Sequence, residues 1–252
     1  MFDGVITQQV YSQYTADDHE VWRRLHAQQL EQARRYACRS YLDGFTRLGL
    51  PSDRVVDLDE LNAAIAKRCD WTFVGATGFL PPVEFFRCLR DHRFPITVGV
   101  RRMDELRFAE LPDIFHDVFG HGPMVVQPEV AAVYELVGEA AMRHAEDDEF
   151  LGRMAKLFWS TFEVGLIIEG GEGKAFGGAL LSSFQELHHI FIDGAPRTTL
   201  SLERMKAWDY EVLEVQHEYV EFESLDQIRA LVAELERRHG AGVGAERQVV
   251  SS

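Results

Sequence analysis

The stretch Pro112-Asp113-Ile114-Phe115-His116-Asp117-Val118-Phe119-Gly120-His121-Gly122-Pro123 restricts this chain more than any other, because it carries helix start and stop signals with two imidazoles between them. Pro112 suits a first helical turn, where a missing N–H costs nothing, and Asp113 favours the same end through the helix dipole. His116 and His121 are five residues apart, which on a continuous α-helix at about 100° per residue would set them roughly 140° apart, on different faces. Gly120 and the following Gly122-Pro123 are signals of a helix C-terminus. His121 is therefore expected where the chain leaves the helix axis, and there the two imidazoles can converge.

A zinc-protease site needs His-Glu-x-x-His, with ligands four apart on one face, and that spacing is absent. A carboxylate, Glu163, follows in a second aromatic-rich segment. Two neutral imidazoles and one carboxylate on one side of a hard-to-borderline cation leave its other positions open, the arrangement of a mononuclear non-haem Fe(II) that binds oxygen. Ala155, Trp159 and Glu163 recur every four residues, so an indole is expected one helical turn from Glu163. Spacing alone does not settle the matter, because a histidine near a helix end is more often a cap or a surface residue than a ligand.

Most of the chain has helical texture. Thr15 is placed to cap a helix with Asp17 and Asp18 in its first turn and Val21, Trp22 and Leu25 on its apolar stripe, and the pattern runs on to a stop at Gly49-Leu50-Pro51. Further helices are expected over Leu58 to Cys69, from Pro82 with Phe85, Phe86 and Leu89, and over Val125 to Ala145. The β-branched run Pro95 to Val100 predicts a strand leading directly into Arg101. Gly170-Gly171-Glu172-Gly173 lacks the ending of a phosphate loop and reads as a turn. The stripe Leu225, Ile228, Leu231, Val232, Leu235 makes a last helix that stops at Gly240. The expectation is one domain over 1–239 and a disordered tail over 240–252, mainly α with a small β component.

The 26 Lys and Arg against 41 Asp and Glu give a formal charge of −15, which disfavours nucleic acid and anionic membrane surfaces as partners. Cys38, Cys69 and Cys88 are odd in number and lack a CxxC spacing, so reduced thiols are expected, as small buried side chains in a cytoplasmic protein. No apolar run approaches the ~20 residues of a spanning helix, and Met1-Phe2-Asp3-Gly4 begins no signal peptide or lipidation motif.

Five ordered blocks carry a family resemblance: Tyr14-Thr15-Ala16, Gly78-Phe79-Leu80-Pro81 with Arg93-Phe94-Pro95, Pro112 to Pro123, Phe158 to Glu163, and Lys174 to Phe184. Over these blocks, and on to about Leu231, the chain resembles the catalytic domain of the pterin-dependent aromatic amino acid hydroxylases, most of all the short bacterial phenylalanine hydroxylases. The resemblance implies that fold and an oxidoreductase, a monooxygenase acting on L-phenylalanine with Fe(II), a tetrahydropterin (tetrahydrobiopterin or a relative) and O₂ as co-substrate. It implies His116, His121 and Glu163 as iron ligands. Arg101, Trp159, Ser182 and Glu186 become substrate-side residues, Arg101 for the α-carboxylate, which suits its fixed fork of donors. Gly78, Leu80, Phe85 and Asp117 become pterin contacts. Nothing in the resemblance calls for the regulatory domain or the coiled coil of animal relatives, so a monomer is expected.

The departures carry information too. Val164 and Ala179 stand where the family has a phenylalanine and a glycine in the substrate pocket, so one wall shrinks and the other grows. That exchange could offer a different ring carbon to the oxidant, giving meta-tyrosine in place of para-tyrosine. Gly122 and Leu111 also depart from the pattern, with no evident consequence. Competing readings are a hydroxylase of another aromatic amino acid such as tryptophan, a non-catalytic iron- or pterin-binding relative, and a metal-dependent hydrolase. The last lacks the acid spacing that such chemistry needs.

Overall fold

A computed structural model describes residues 2–66, 68–207 and 214–250. Helix α1, Ala16–Tyr36, starts as expected: the Thr15 hydroxyl accepts from the Asp18 N–H while the Asp18 carboxylate accepts from the Thr15 N–H, a reciprocal cap. The helix does not run through to Gly49. Ala37 and Cys38 are extended, and the Cys38 N–H donates to the Ala175 carbonyl at 2.9 Å, so a cross-chain hydrogen bond breaks what the periodicity reads as one helix. Helix α2, Arg39–Leu48, then ends on Gly49 in the left-handed region, φ 65°, a common helix stop. Helix α3 covers Leu58–Ile65, one turn shorter than predicted.

Strand β1, Thr72–Ala76, helix α4, Pro82–Arg90, and strand β2, Arg93–Thr97, form a parallel two-stranded unit with its crossover helix. The strand expected to reach Arg101 ends four residues earlier, at Thr97. Beyond the Val98 N–H bond to Ala76 the chain turns away, and the Gly99 carbonyl accepts instead from Ile114. The apolar run was therefore a correct strand signal with the wrong end.

Helices α5, Gly122–Val125, α6, Pro128–Arg143, and α7, Asp148–Phe158, follow the histidine segment. The single helix expected from Val125 is split, because Pro128 opens a new first turn. Strands β3, Leu166–Glu169, and β4, Glu172–Ala175, make a hairpin whose tip, Gly170 and Gly171, has φ of 61° and 86°, the positive values such tight turns require. After α8, Gly178–Ser182, and α9, Phe184–Phe191, come β5, Arg197–Thr199, α10, Leu202–Ala207, β6, Tyr219–Phe222, and α11, Leu225–Val250. The second sheet has the order β4-β3-β6-β5.

One continuous buried cluster runs from Val21 through Phe115, Tyr134 and Phe162 to Leu235, so the helices and the second sheet share a core. Ile228, Val232 and Leu235 are buried on α11, as the stripe predicts. The helix itself continues past Gly240 to Val250, because an interior glycine costs only about 1 kcal/mol and forces no stop; Ser251 and Ser252 lie outside the described residues. Among the described residues, no helix is long and apolar enough to cross a membrane.

Candidate metal centre and its two cavities

The two histidines meet by a route that α-helical spacing does not anticipate. The helix begins at Ile114 with Asp113 as its cap, the Asp113 carboxylate accepting from the His116 N–H at 2.9 Å. His116–His121 is then wound as a π-helical turn, in which the Gly122 N–H reaches back five residues to the Asp117 carbonyl. Bonding over five residues stacks His121 over His116, as four-residue bonding does in an α-helix. The chain does not leave the helix axis at His121; it continues into α5, with Gly122 helical at φ −50°. The second segment repeats the device. Trp159–Glu163 is also a π turn, closed by the Val164 N–H on the Trp159 carbonyl at 3.1 Å, so the expected four-residue rhythm ends at Trp159.

These windings place the Nε2 atoms of His116 and His121 at 3.5 Å and 3.1 Å from Oε2 of Glu163. The imidazole rings are 5.1 Å apart at 79°. Asp117 offers a second carboxylate: its oxygen and the two imidazole nitrogens lie within 4.8 Å of one another. The far nitrogens also have partners, His116 Nδ1 at 2.8 Å from Ser182 Oγ and His121 Nδ1 at 3.5 Å from the Tyr134 hydroxyl. A histidine whose Nδ1–H is given to a neighbour presents its Nε2 lone pair to a cation.

Three glycines let the elements approach this closely. A Cβ on Gly120 would sit 2.4 Å from the Gly178 carbonyl oxygen, and one on Gly177 would sit 2.2 Å from that of Glu163. One on Gly178 would strike His121 Nε2 at 2.4 Å. Gly120 thus serves close packing, a signal easily mistaken for a helix stop.

Burial and the mutual pull of the charged groups oppose each other here. It pushes His116 down to about 4 against the pull of Glu163, leaving the imidazole neutral at pH 7. Burial would raise Glu163 as well, but His121 and His116 hold it below its ordinary value. His121 is lowered by burial and more than restored by Glu163. Asp117 is pushed up to about 7 by burial, opposed by His121 and by the Thr97 N–H, which donates to its carboxylate at 2.5 Å.

Two cavities open from this cluster. The first is apolar and lined by Phe85, Phe94, Phe158 and Leu80, together with Gly78 and Asp117; the second is mixed, more polar than the first, and lined by Arg101, Ser182, Glu186 and Gln216, together with Val164 and Ala179. Every residue expected on the pterin side lines the first. Every residue expected on the substrate side lines the second, and Trp159 lines both. Glu186 is buried, accepts from the Tyr219 hydroxyl and the Gln216 N–H, and is pushed up to about 7 by that burial. His188 and His189 flank Asp193 outside both cavities.

The sequence reading missed Tyr134, Tyr219, Phe94 and Gly178, and gave Asp113 too small a part. Only Phe94 and Gly178 left a trace, each inside a block that carries the family resemblance.

A sequence model described as biopterin-dependent aromatic amino acid hydroxylase matches residues 7–241. The chain belongs to the biopterin-dependent aromatic amino acid hydroxylase family. Among these hydroxylases, the phenylalanine-4-hydroxylase of Mesorhizobium japonicum is 36% identical over 221 residues, covering 86% of this chain and 78% of that protein. The phenylalanine 3-hydroxylase of Streptomyces coeruleorubidus is 31% identical over 220 residues, covering 87% and 78%. The crystal structure of Chromobacterium violaceum phenylalanine hydroxylase with bound iron(III) and oxidized 7,8-dihydrobiopterin superposes with a TM-score of 0.86 at 31% identity, covering 94% of this chain and 86% of that one. The mainly helical hydroxylase fold expected from sequence is thus the observed one.

Proposed function

We propose that this chain is an Fe(II)- and tetrahydropterin-dependent monooxygenase that uses O₂ to hydroxylate the ring of L-phenylalanine. The observation that carries the reading is the meeting, at His116 and Glu163, of an apolar cavity and a mixed one that holds Arg101, Ser182 and Glu186. The donor set fits the metal: two imidazoles, one of them held neutral, and a carboxylate converge in a buried pocket and leave one side open. Bound iron and pterin supply the reduction of O₂ and the oxidising power that the protein lacks.

The chain's own residues then bind, orient and exclude water. His116, His121 and Glu163 are the ligands we propose, with Ser182 and Tyr134 orienting the imidazoles. Arg101 holds the α-carboxylate with the N–H groups it does not spend on Asp113, and Ser182 and Glu186 bound the same end. Gly78, Leu80, Phe85 and Asp117 form the pterin seat, where the rings of Phe94 and Phe158 keep the chamber dry. Trp159, Val164 and Ala179 fix the tilt of the substrate ring and so determine whether para- or meta-tyrosine forms. We further propose residues 1–239 as the catalytic unit, working as a monomer in the cytoplasm, a setting supported by three free cysteines.

Oxygen consumption by the iron-loaded protein tests the reading. It should require both a tetrahydropterin and phenylalanine, and NMR of the product should give the ring position. Turnover of tryptophan but not phenylalanine would change the substrate; iron and pterin binding without turnover would leave a binding protein.

A further inference from the structure

Five residues line both cavities: Phe79, Pro112, His116, Trp159 and Glu163. Two of them are the proposed iron ligands, and Pro112 precedes the helix cap. That leaves two aromatic rings, Phe79 and Trp159, with centroids 6.4 Å apart and planes at 45°. We infer that Phe79 is a partition that keeps the pterin and the amino acid in separate chambers, and so a specificity-determining residue; the inference rests on the two-chamber reading above.

The ring is held from several sides. Gly78, at φ 146°, makes the turn that presents it. The next residue, Leu80, is anchored in a small buried cluster with Ala76 and Cys88, which fixes the loop on that side. From the N-terminal segment, the Gly4 N–H donates to the Phe79 carbonyl at 2.9 Å, and the Phe2 ring packs 5.6 Å from that of Phe79 at the rim of the first cavity. The fit is close enough that a Cβ on Gly4 would lie 2.7 Å from the carbonyl oxygens of both Gly78 and Phe79. The ring thus lies between those of Phe2 and Trp159. It is also only half-buried, so its contribution is the volume it occupies between the chambers more than the core it builds.

Removing that ring would join the amino-acid chamber to an apolar space bounded by Phe85 and Phe158, where a longer aromatic side chain could extend. The test uses calorimetric titration of the iron-loaded protein, kept anaerobic, with L-phenylalanine, L-3-(2-naphthyl)alanine and 7,8-dihydrobiopterin. In the wild type, phenylalanine and dihydrobiopterin should bind together, with naphthylalanine about tenfold or more weaker than phenylalanine. In Phe79→Ala, naphthylalanine should tighten by about tenfold and compete with dihydrobiopterin, with Phe79→Leu between the two. Unchanged naphthylalanine affinity with both ligands still binding independently, in Phe79→Ala or in Phe79→Leu should the first not fold, would overturn the partition. A wild type that binds neither dihydrobiopterin nor phenylalanine would overturn the proposed function itself, and the partition with it.

Discussion

Arg101 and Asp113 face each other through two parallel hydrogen bonds, Nε to Oδ2 at 3.0 Å and Nη2 to Oδ1 at 2.8 Å, and the same carboxylate caps the helix that carries His116. One buried acid thus ties the proposed substrate arginine to the proposed iron site. Burial would raise the Asp113 carboxyl, but Arg101 and the His116 and Arg101 backbone N–H groups hold it below its ordinary value. Two of the five guanidinium N–H groups are spent on this pairing, and the others are the ones proposed to take a substrate carboxylate.

The pairing changes what an Arg101 variant reports. Arg101→Ala strands a buried carboxylate and is expected to cost about 3–5 kcal/mol of stability, measurable by urea unfolding. Arg101→Lys keeps the charge without the fork and should raise the amino-acid KM by about tenfold or more, from the loss of a charge-assisted contact of about 1.5–3 kcal/mol. Pterin affinity should hardly move. Equal weakening of both ligands by Arg101→Lys would remove Arg101 from the substrate side.

Replacing His116, His121 or Glu163 by Ala should abolish tightly bound iron while the circular dichroism of the domain stays near wild type. Metal analysis after dialysis is the measurement. Full turnover by Glu163→Ala would show that the carboxylate ligand is another residue, and Asp117, within reach of both imidazoles, would be the first to try.

Gly178→Ala places a methyl where His121 Nε2 now lies, with only 2.4 Å between the positions. The imidazole must move, and iron affinity should fall by about 10–100-fold, as when other supports of a metal ligand are lost. Competition with a chelator reads this directly. Wild-type affinity would mean that α8 yields at no cost.

His92 bridges Asp70 and Glu135, each 2.8 Å from one ring nitrogen, and stacks on Trp71. Glu135 and Asp70 raise its pKa above the ordinary 6.5, against the effect of burial. The folded state therefore binds this proton more tightly than the unfolded chain. Its stabilisation is complete below about pH 6.5 and is lost as pH rises through the raised value. His92→Asn, chosen because φ is +54° here, should flatten that loss. Urea unfolding at pH 6 and pH 8.5 should show a smaller drop in the variant than in the wild type; an equal drop would place the pH dependence elsewhere.

Val164 and Ala179 line the same cavity as Trp159. If the wild type forms meta-tyrosine, Val164→Phe with Ala179→Gly should move product toward para-tyrosine, since ångström-scale placement decides which carbon is presented. Para-tyrosine from both proteins would make the exchange a neutral repacking.

Much of the candidate site was legible in the sequence because the chemistry proposed for it needs particular side chains. His116, His121 and Glu163 stand out by type, and the residues expected on the two sides of the metal line two different cavities. Backbone winding was not legible: helical periodicity assumes one pitch, and nothing in Asp117-Val118-Phe119 announces a π turn. Nor was the partnership of Arg101 with Asp113, twelve residues away, since Asp113 already had a local explanation at a helix start. The break at Ala37 and Cys38 depends on a hydrogen bond to Ala175, and the four-residue strands β3 and β4 are too short for alternation to register. Gly240 shows the opposite error, a stop signal that the chain ignores.

The π turns at His116–His121 and Trp159–Glu163 each hold one residue more per turn than the α-helices they join. The site therefore depends on backbone winding as well as on side-chain identity. Relaxing His116–His121 to α-helical winding at its present length would keep every proposed ligand yet rotate His121 away from His116, whereas loss of one residue such as Val118 along with that relaxation would set the two histidines four apart and still on one face. Residue identity and spacing alone thus do not define the centre: the same sequence wound as an unbroken α-helix would carry every proposed ligand and leave the two imidazoles apart.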